Sequence, residues 1–148
     1  MFIAALLLIA EPQSGREPLV SPVYEVVADK ETITRHAIGC VNQNATSGRT
    51  DIPTIESSDM TVGTVVAINF LQRASISPFS RDMRTALRID ARDGQFRIVN
   101  SNFELFSEWK VEWSPIKRSD RPWAELEGRL NRQSERLASC IRDAAADW

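Results

Sequence analysis

The dipeptide Asp93-Gly94, set between two runs of alternating side chains, constrains this chain more than any other feature. Two residues of this kind between such runs mark an antiparallel hairpin, and Asp-Gly supplies the two positive-φ positions of a type I′ turn. Counting outward from the tip sets the register: Asp90 faces Arg97, Ile89 faces Ile98 and Leu87 faces Asn100. One face of the hairpin then carries Met83, Leu87, Ile89, Phe96 and Ile98, and the other carries Arg84, Arg88, Asp90 and Arg97. Both strands agree on the buried side, and a slip of one residue would destroy that agreement. After Ile98 the alternation inverts, because Phe103 and Leu105 take the opposite parity, which predicts a bulge or bend over residues 100–102.

The remaining pattern is laid out around this hairpin. Residues 23–28, Val-Tyr-Glu-Val-Val-Ala, read as a first strand, and Asp29 is placed to cap a helix over 30–45 that turns Ile33, Ala37, Cys40 and Val41 inward. Residues 46–59 are rich in Ser, Gly, Asp and Pro and read as a surface loop. Residues 61–70 alternate with no charge on either side, as expected of a strand inside a sheet, and 71–81 read as a long connection. Residues 108–113 alternate again, with Trp109, Val111 and Trp113 inward and Glu108, Lys110 and Glu112 outward. Ser119 or Asp120 is placed to cap a last helix with Pro122 in its first turn, and Trp123, Leu126, Leu130, Leu137, Ile141 and Trp148 form its inward stripe. All four tryptophans, Trp109, Trp113, Trp123 and Trp148, read as core residues. The expected class is α+β: an antiparallel sheet of about five strands with two helices on one face, in the order β-α-β-β-β-β-α.

A chain of 148 residues, 43% hydrophobic and 26% charged, builds one core rather than two. Its net charge of −2 supplies no field that would gather nucleic acid or anionic lipid. Residues 2–10 are nine consecutive apolar positions followed by Glu11, Pro12, Gln13, Ser14 and Gly15. That run is short of the roughly 20 residues a membrane span needs and fits a signal peptide over residues 1–14, although no Lys or Arg precedes it. Residues 15–22 then read as a linker and 23–148 as a single domain. Cys40 and Cys140 are an isolated pair, which in an oxidising compartment is expected to form a disulfide.

Two stretches carry a family likeness. Residues 61–67, Thr-Val-Gly-Thr-Val-Val-Ala, and the hairpin over 87–103 resemble a bacterial domain-of-unknown-function family described as having a TBP-like fold. Its members show a strand ending in Asp-Gly and then an aromatic and basic strand ending in Asn-Phe, matched here by Asp93, Gly94, Phe96, Arg97, Asn102 and Phe103. The resemblance implies a TBP-like fold over roughly residues 23–145 and a bacterial envelope setting, and it brings no catalytic residues with it.

Chemistry is sparse. His36 is the only histidine and has no motif around it, and no nucleophile elbow, zinc-binding helix, phosphate loop or metal-ligand spacing occurs. No catalytic residue, cofactor or metal is therefore assigned. Arg84, Arg88, Arg97 and Lys110 are expected on the open face of the sheet, interleaved with Asp90, Glu108 and Glu112. They form a candidate binding face for an envelope protein or small ligand, set against the plainer reading of a solvated face with weak ion pairs. Nucleic-acid binding is rejected, since there is one repeat, no basic excess and no aromatic wedge pair expected on that face. Asn44-Ala45-Thr46 is a glycosylation sequon that reads more simply as a helix stop. The function expected is an exported, periplasmic or secreted, non-catalytic binding module with no stable membrane span after leader removal. The alternative is a small-molecule carrier or enzyme with a pocket between sheet and helices near His36.

Overall fold

The structure, a computed structural model, describes residues 16–73 and 81–146. The expected leader, most of the 71–81 connection and Trp148 lie outside the described residues. The elements run β1 (Leu19–Val20), β2 (Tyr24–Glu25), α1 (Lys30–Asn44), β3 (Ile55–Asp59), β4 (Thr64–Leu71), β5 (Met83–Arg92), β6 (Gln95–Ser107), β7 (Glu112–Pro115) and α2 (Trp123–Ala146). All strand pairs are antiparallel, in the order β1-β6-β5-β4-β3, with β2 and β7 also paired to β6. Both helices cover one side. The fold is the expected α+β layer, with β6 as its spine.

The central hairpin has the register that the sequence sets: Asp90 opposite Arg97, Ile89 opposite Ile98 and Leu87 opposite Asn100. Its turn differs. Gly94 has φ 79° but Asp93 does not enter the left-handed region, so the sign pattern is that of a type II turn rather than type I′. Tertiary bonds explain this: the Asp93 carboxylate accepts the Lys30 N–H at 2.8 Å, and the Gly94 N–H donates to the Ala28 carbonyl at 2.9 Å. The turn is shaped by the entry to α1. The expected bulge is present, as the β5–β6 register shifts between Arg84 and Ala86 while Asn102 sits at φ 52°, which Asn tolerates better than most residues.

Three expectations are corrected. Leu19 and Val20, inside the stretch read as linker, pair with Asn100 and Val99 as β1. Residues 55–59, inside the stretch read as loop, form the edge strand β3, whose Ile-Glu-Ser-Ser-Asp sequence is exposed at four of five positions and so lacks a strand's alternation. Residues 108–111 are a turn, not a strand: Trp109 is 93% exposed and Val111 76%, with Val111 at φ 51°. Alternation there reflects the tip of the β6–β7 hairpin rather than a buried face.

Asp29 caps α1, its carboxylate accepting the Thr32 N–H at 2.8 Å. That bond and the one from the Thr32 side chain hold the Asp29 carboxyl below its ordinary value. A lowered folded value means the cap contributes fully at neutral pH and is lost as pH falls through it. Asp29→Ala is thus expected to lower the urea midpoint at neutral pH and to match wild type in acid; equal midpoints at neutral pH would count against the cap. At α2 the expected side-chain cap is absent. The Asp120 carboxylate instead accepts the Lys117 N–H at 2.7 Å, and the helix is entered through backbone bonds from Trp123 to Asp120 and from Leu126 to Pro122.

Between sheet and helices the core has two apolar clusters. One joins Ile33, Ala37 and Val41 of α1 to Leu87, Ile89 and Ile98 of the hairpin and Leu137 and Ile141 of α2. The other joins Leu71, Met83, Phe103, Trp123, Leu126 and Leu130. Each of β4, β5, β6 and α2 crosses between them through a buried polar residue, Asn69, Thr85, Asn100 and Gln133 respectively. Asn69 and Gln133 exchange amide bonds at 2.7 and 2.9 Å, Thr85 donates to Asn100 at 2.8 Å, and Gln133 also reaches the Asn44 carbonyl at 3.1 Å. Cys40 of α1 and Cys140 of α2 form the disulfide, with Cα atoms 5.8 Å apart.

Candidate functional site on the open sheet face

Strand alternation that buries one side of the sheet under the helices turns the other side away from them, where Val99 is buried and its neighbours are partly exposed. Across its first row the register sets Phe70 beside Arg84, Arg84 beside Glu104 and Glu104 beside Pro115. One step further, Phe106 faces Trp113. The Trp113 ring meets Phe106 at 5.4 Å and Phe70 at 6.3 Å, both edge to face, and the Arg84 guanidinium lies 4.1 Å from its centroid. Arg84 is held there by Glu104, Nε to Oε1 at 2.9 Å. A guanidinium fixed over an indole contributes about 0.5–2 kcal/mol and keeps the ring's orientation. Behind the cluster, Gly48 lets the loop after α1 lie on the Phe70 ring, since a Cβ there would come within 2.6 Å of Cγ. Trp113 therefore faces away from the helices, and the aromatic group that the sequence did not place on this face is present.

Val66, Ile68, Ala86 and Val99 form the middle of the face, by the same register. At the far end Asp90 accepts from Arg88 at 2.9 Å and from Arg97 at 3.3 Å. Of the four basic residues expected on one face, Arg84, Arg88 and Arg97 are on it, at its two ends, and Lys110 is not. Arg88 and Arg97 share Asp90, Arg84 belongs to the aromatic end, and Lys110 sits on the hairpin tip, its N–H bonded to Ser107. With side chains 27–48% exposed, the Arg88–Asp90–Arg97 group contributes less than about 1 kcal/mol per pair.

His36 is half-buried on α1 and lines none of three hollows on the described surface, which lie near Thr64 and Arg97, near Asn102 and Pro115, and near Gly48 and Phe70. The layer between α1 and the sheet is filled by the first apolar cluster. Among the described residues no three His, Cys, Asp or Glu side chains gather as metal ligands, and no helix is long and apolar enough to cross a membrane.

This architecture defines the class as a TBP-like α+β fold. No family model matches the chain, and neither does any curated protein. Solved structures do. A TBP-like protein from Parabacteroides distasonis superposes with a TM-score of 0.65 at 13% identity, covering 90% of this chain and 94% of that one. A DUF4468 family protein from Bacteroides ovatus superposes with a TM-score of 0.52 at 12% identity, covering 87% and 81%. These likenesses are of fold, and they accord with the sequence resemblance to a bacterial family of that fold.

Proposed function

We propose that the chain is an exported, non-catalytic module that binds a partner protein on the open face of its sheet, anchored by Trp113, Phe106, Phe70 and Arg84. The observation that carries this reading is the half-exposed aromatic cluster with a stacked, ion-paired arginine, on the face opposite both helices. Trp and Arg are the residue types that dominate binding hot spots, because they bring large area and directed bonds at little conformational cost. Export is supported by the apolar run over residues 2–10 and by the disulfide.

Capture from a cell-envelope fraction tests the binding reading. Trp113→Ala is expected to lose about 2 kcal/mol, roughly a 30-fold drop in retained partner, with circular dichroism unchanged. Arg88→Glu with Arg97→Glu is expected to act mainly through salt dependence and on-rate. The same partners retained at the same level by all variants would sink it. Intact-mass measurement of the protein recovered from the envelope tests export: the expected species has lost its N-terminal leader and takes up alkylating agent at both cysteines only after reduction. A full-length chain with reactive thiols would contradict that.

A further inference from the structure

Among the described residues, large apolar side chains are exposed at seven positions, and four of them form two groups at opposite ends of β6. Trp109 and Val111 make the tip of the β6–β7 hairpin. Val23, 56% exposed, and Val62, 64% exposed, stand on the rim of a hollow of about 300 Å³ beside the β5–β6 turn. The thirteen residues of β6 hold the two groups about 40 Å apart, at roughly 3.3 Å per residue. No molecule can fill its own hollow with its own tip.

Each group is an unusual thing to leave in water. The tip places a β-branched residue, Val111, at φ 51°, a conformation that costs on the order of 1–3 kcal/mol and persists where surrounding structure imposes it. It also exposes an indole, whose burial would remove about 150–250 Å² from water. The hollow has a buried floor of Ala91 and Phe96 and lies at the lower limit of the roughly 300–1,000 Å³ that ligand sites occupy, a space for one ring rather than a cofactor. Glu108 at the tip already pairs with Arg73 at 3.8 Å, and Arg88 and Arg97 at the hollow already share Asp90. The complementary charges left between the two groups are Glu112 beside the tip and Arg92, which lines the hollow.

We propose that Trp109 of one copy seats in the hollow of the next, so that this chain associates head to tail, with the Glu112 carboxylate toward the Arg92 guanidinium. Made head to tail, the contact extends into a ring or an open row; made reciprocally by two antiparallel copies, the same contact closes a two-fold dimer. One aromatic anchor with a charged rim is a small interface, below about 1,200 Å², and its association is weak and salt-sensitive. The inference is independent of the partner-binding cluster around Trp113.

Sedimentation velocity of the oxidised protein over a rising concentration series reads the association directly. The weight-average sedimentation coefficient is expected to climb with concentration and to fall when salt is added. Trp109→Ala, which lacks the tip, and Val62→Glu, which blocks the hollow at an exposed turn residue, are each expected to stay monomeric while keeping the wild-type circular dichroism spectrum. Mixed in equal amounts, the two are expected to form a heterodimer and nothing larger, because only one tip and one hollow remain usable between them. A wild-type protein that stays monomeric throughout, a Trp109→Ala variant that associates like wild type, or a mixture that remains monomeric or grows past the dimer would overturn the proposal. Both substitutions leave Trp113 and Arg84 in place, so failure here is distinguishable from failure of partner capture.

Discussion

Reducing the Cys40–Cys140 bond is expected to remove about 4–5 kcal/mol of stability, because the cross-link closes a loop with a sequence separation of 100 in the unfolded chain. For a domain of this size that corresponds to a fall in melting temperature of roughly 10–20 °C. Reduction separates the cross-link from packing better than substitution does: Cys40 is only 3% exposed, and a free thiol there still behaves as a small apolar group, whereas serine would bury a hydroxyl. The bond joins α1 to α2 across the first apolar cluster, so its loss acts where the two helices meet. Urea unfolding with and without reductant gives the difference, and coincident midpoints would show that the cross-link is not a source of stability.

The second large effect is expected in the polar layer between the two apolar clusters. Gln133→Leu removes both amide bonds to Asn69 and the bond to the Asn44 carbonyl, leaving the Asn69 side chain, 0% exposed, without its partner on α2. The Asn69 amide keeps its longer contacts to Thr85 at 3.3 Å and Asn100 at 3.5 Å, while the Asn69 side-chain oxygen and the Asn44 carbonyl lose their donor, at about 1–3 kcal/mol each. Asn69→Leu is expected to cost a comparable amount, and the double variant less than the sum, since Thr85 and Asn100 still satisfy each other at 2.8 Å. A double-mutant cycle in urea measures the coupling; strictly additive losses would mean that the Asn69–Gln133 pair is not a unit.

What the sequence made legible was what is local or periodic over a long run. The Asp93-Gly94 hairpin could be counted out residue by residue because one buried face fixes its register, and the parity inversion after Ile98 located the bulge at Asn102. The inward sides of α1 and α2 followed from helical spacing, and they brought Cys40 and Cys140 to the same interface. Less was legible where tertiary contacts decide. β1 and β3 are short or polar edge strands that exist through their pairing with β6 and β4. The turn at Asp93 was reset by its bond to Lys30, a contact 63 residues away in sequence.

The candidate site shows the same division. Arg84, Arg88 and Arg97 stand on the open face, as the hairpin's alternation implies, whereas Lys110 was placed there by a strand that proves to be a turn. That misreading hid the aromatic cluster. The sequence Glu-Trp-Lys-Val-Glu-Trp alternates as a strand would, but alternation reports parity and is blind to a reversal of direction. Once the tip is set at residues 108–111, Phe106 and Trp113 become cross-strand partners on the open face. The polar layer left a trace as well, since Asn69 and Asn100 share the inward parity of apolar rows and Gln133 lies on the α2 stripe three residues after Leu130.

Hydroxyl-radical footprinting of the protein in envelope extract and in buffer, read by residue-level mass spectrometry, tests the open-face reading most directly. Phe70, Phe106 and Trp113 are expected to lose reactivity in the extract while Ile38 and His36, half-buried on α1, keep theirs. Protection confined to the helix side, with the aromatic cluster as reactive in extract as in buffer, would contradict it.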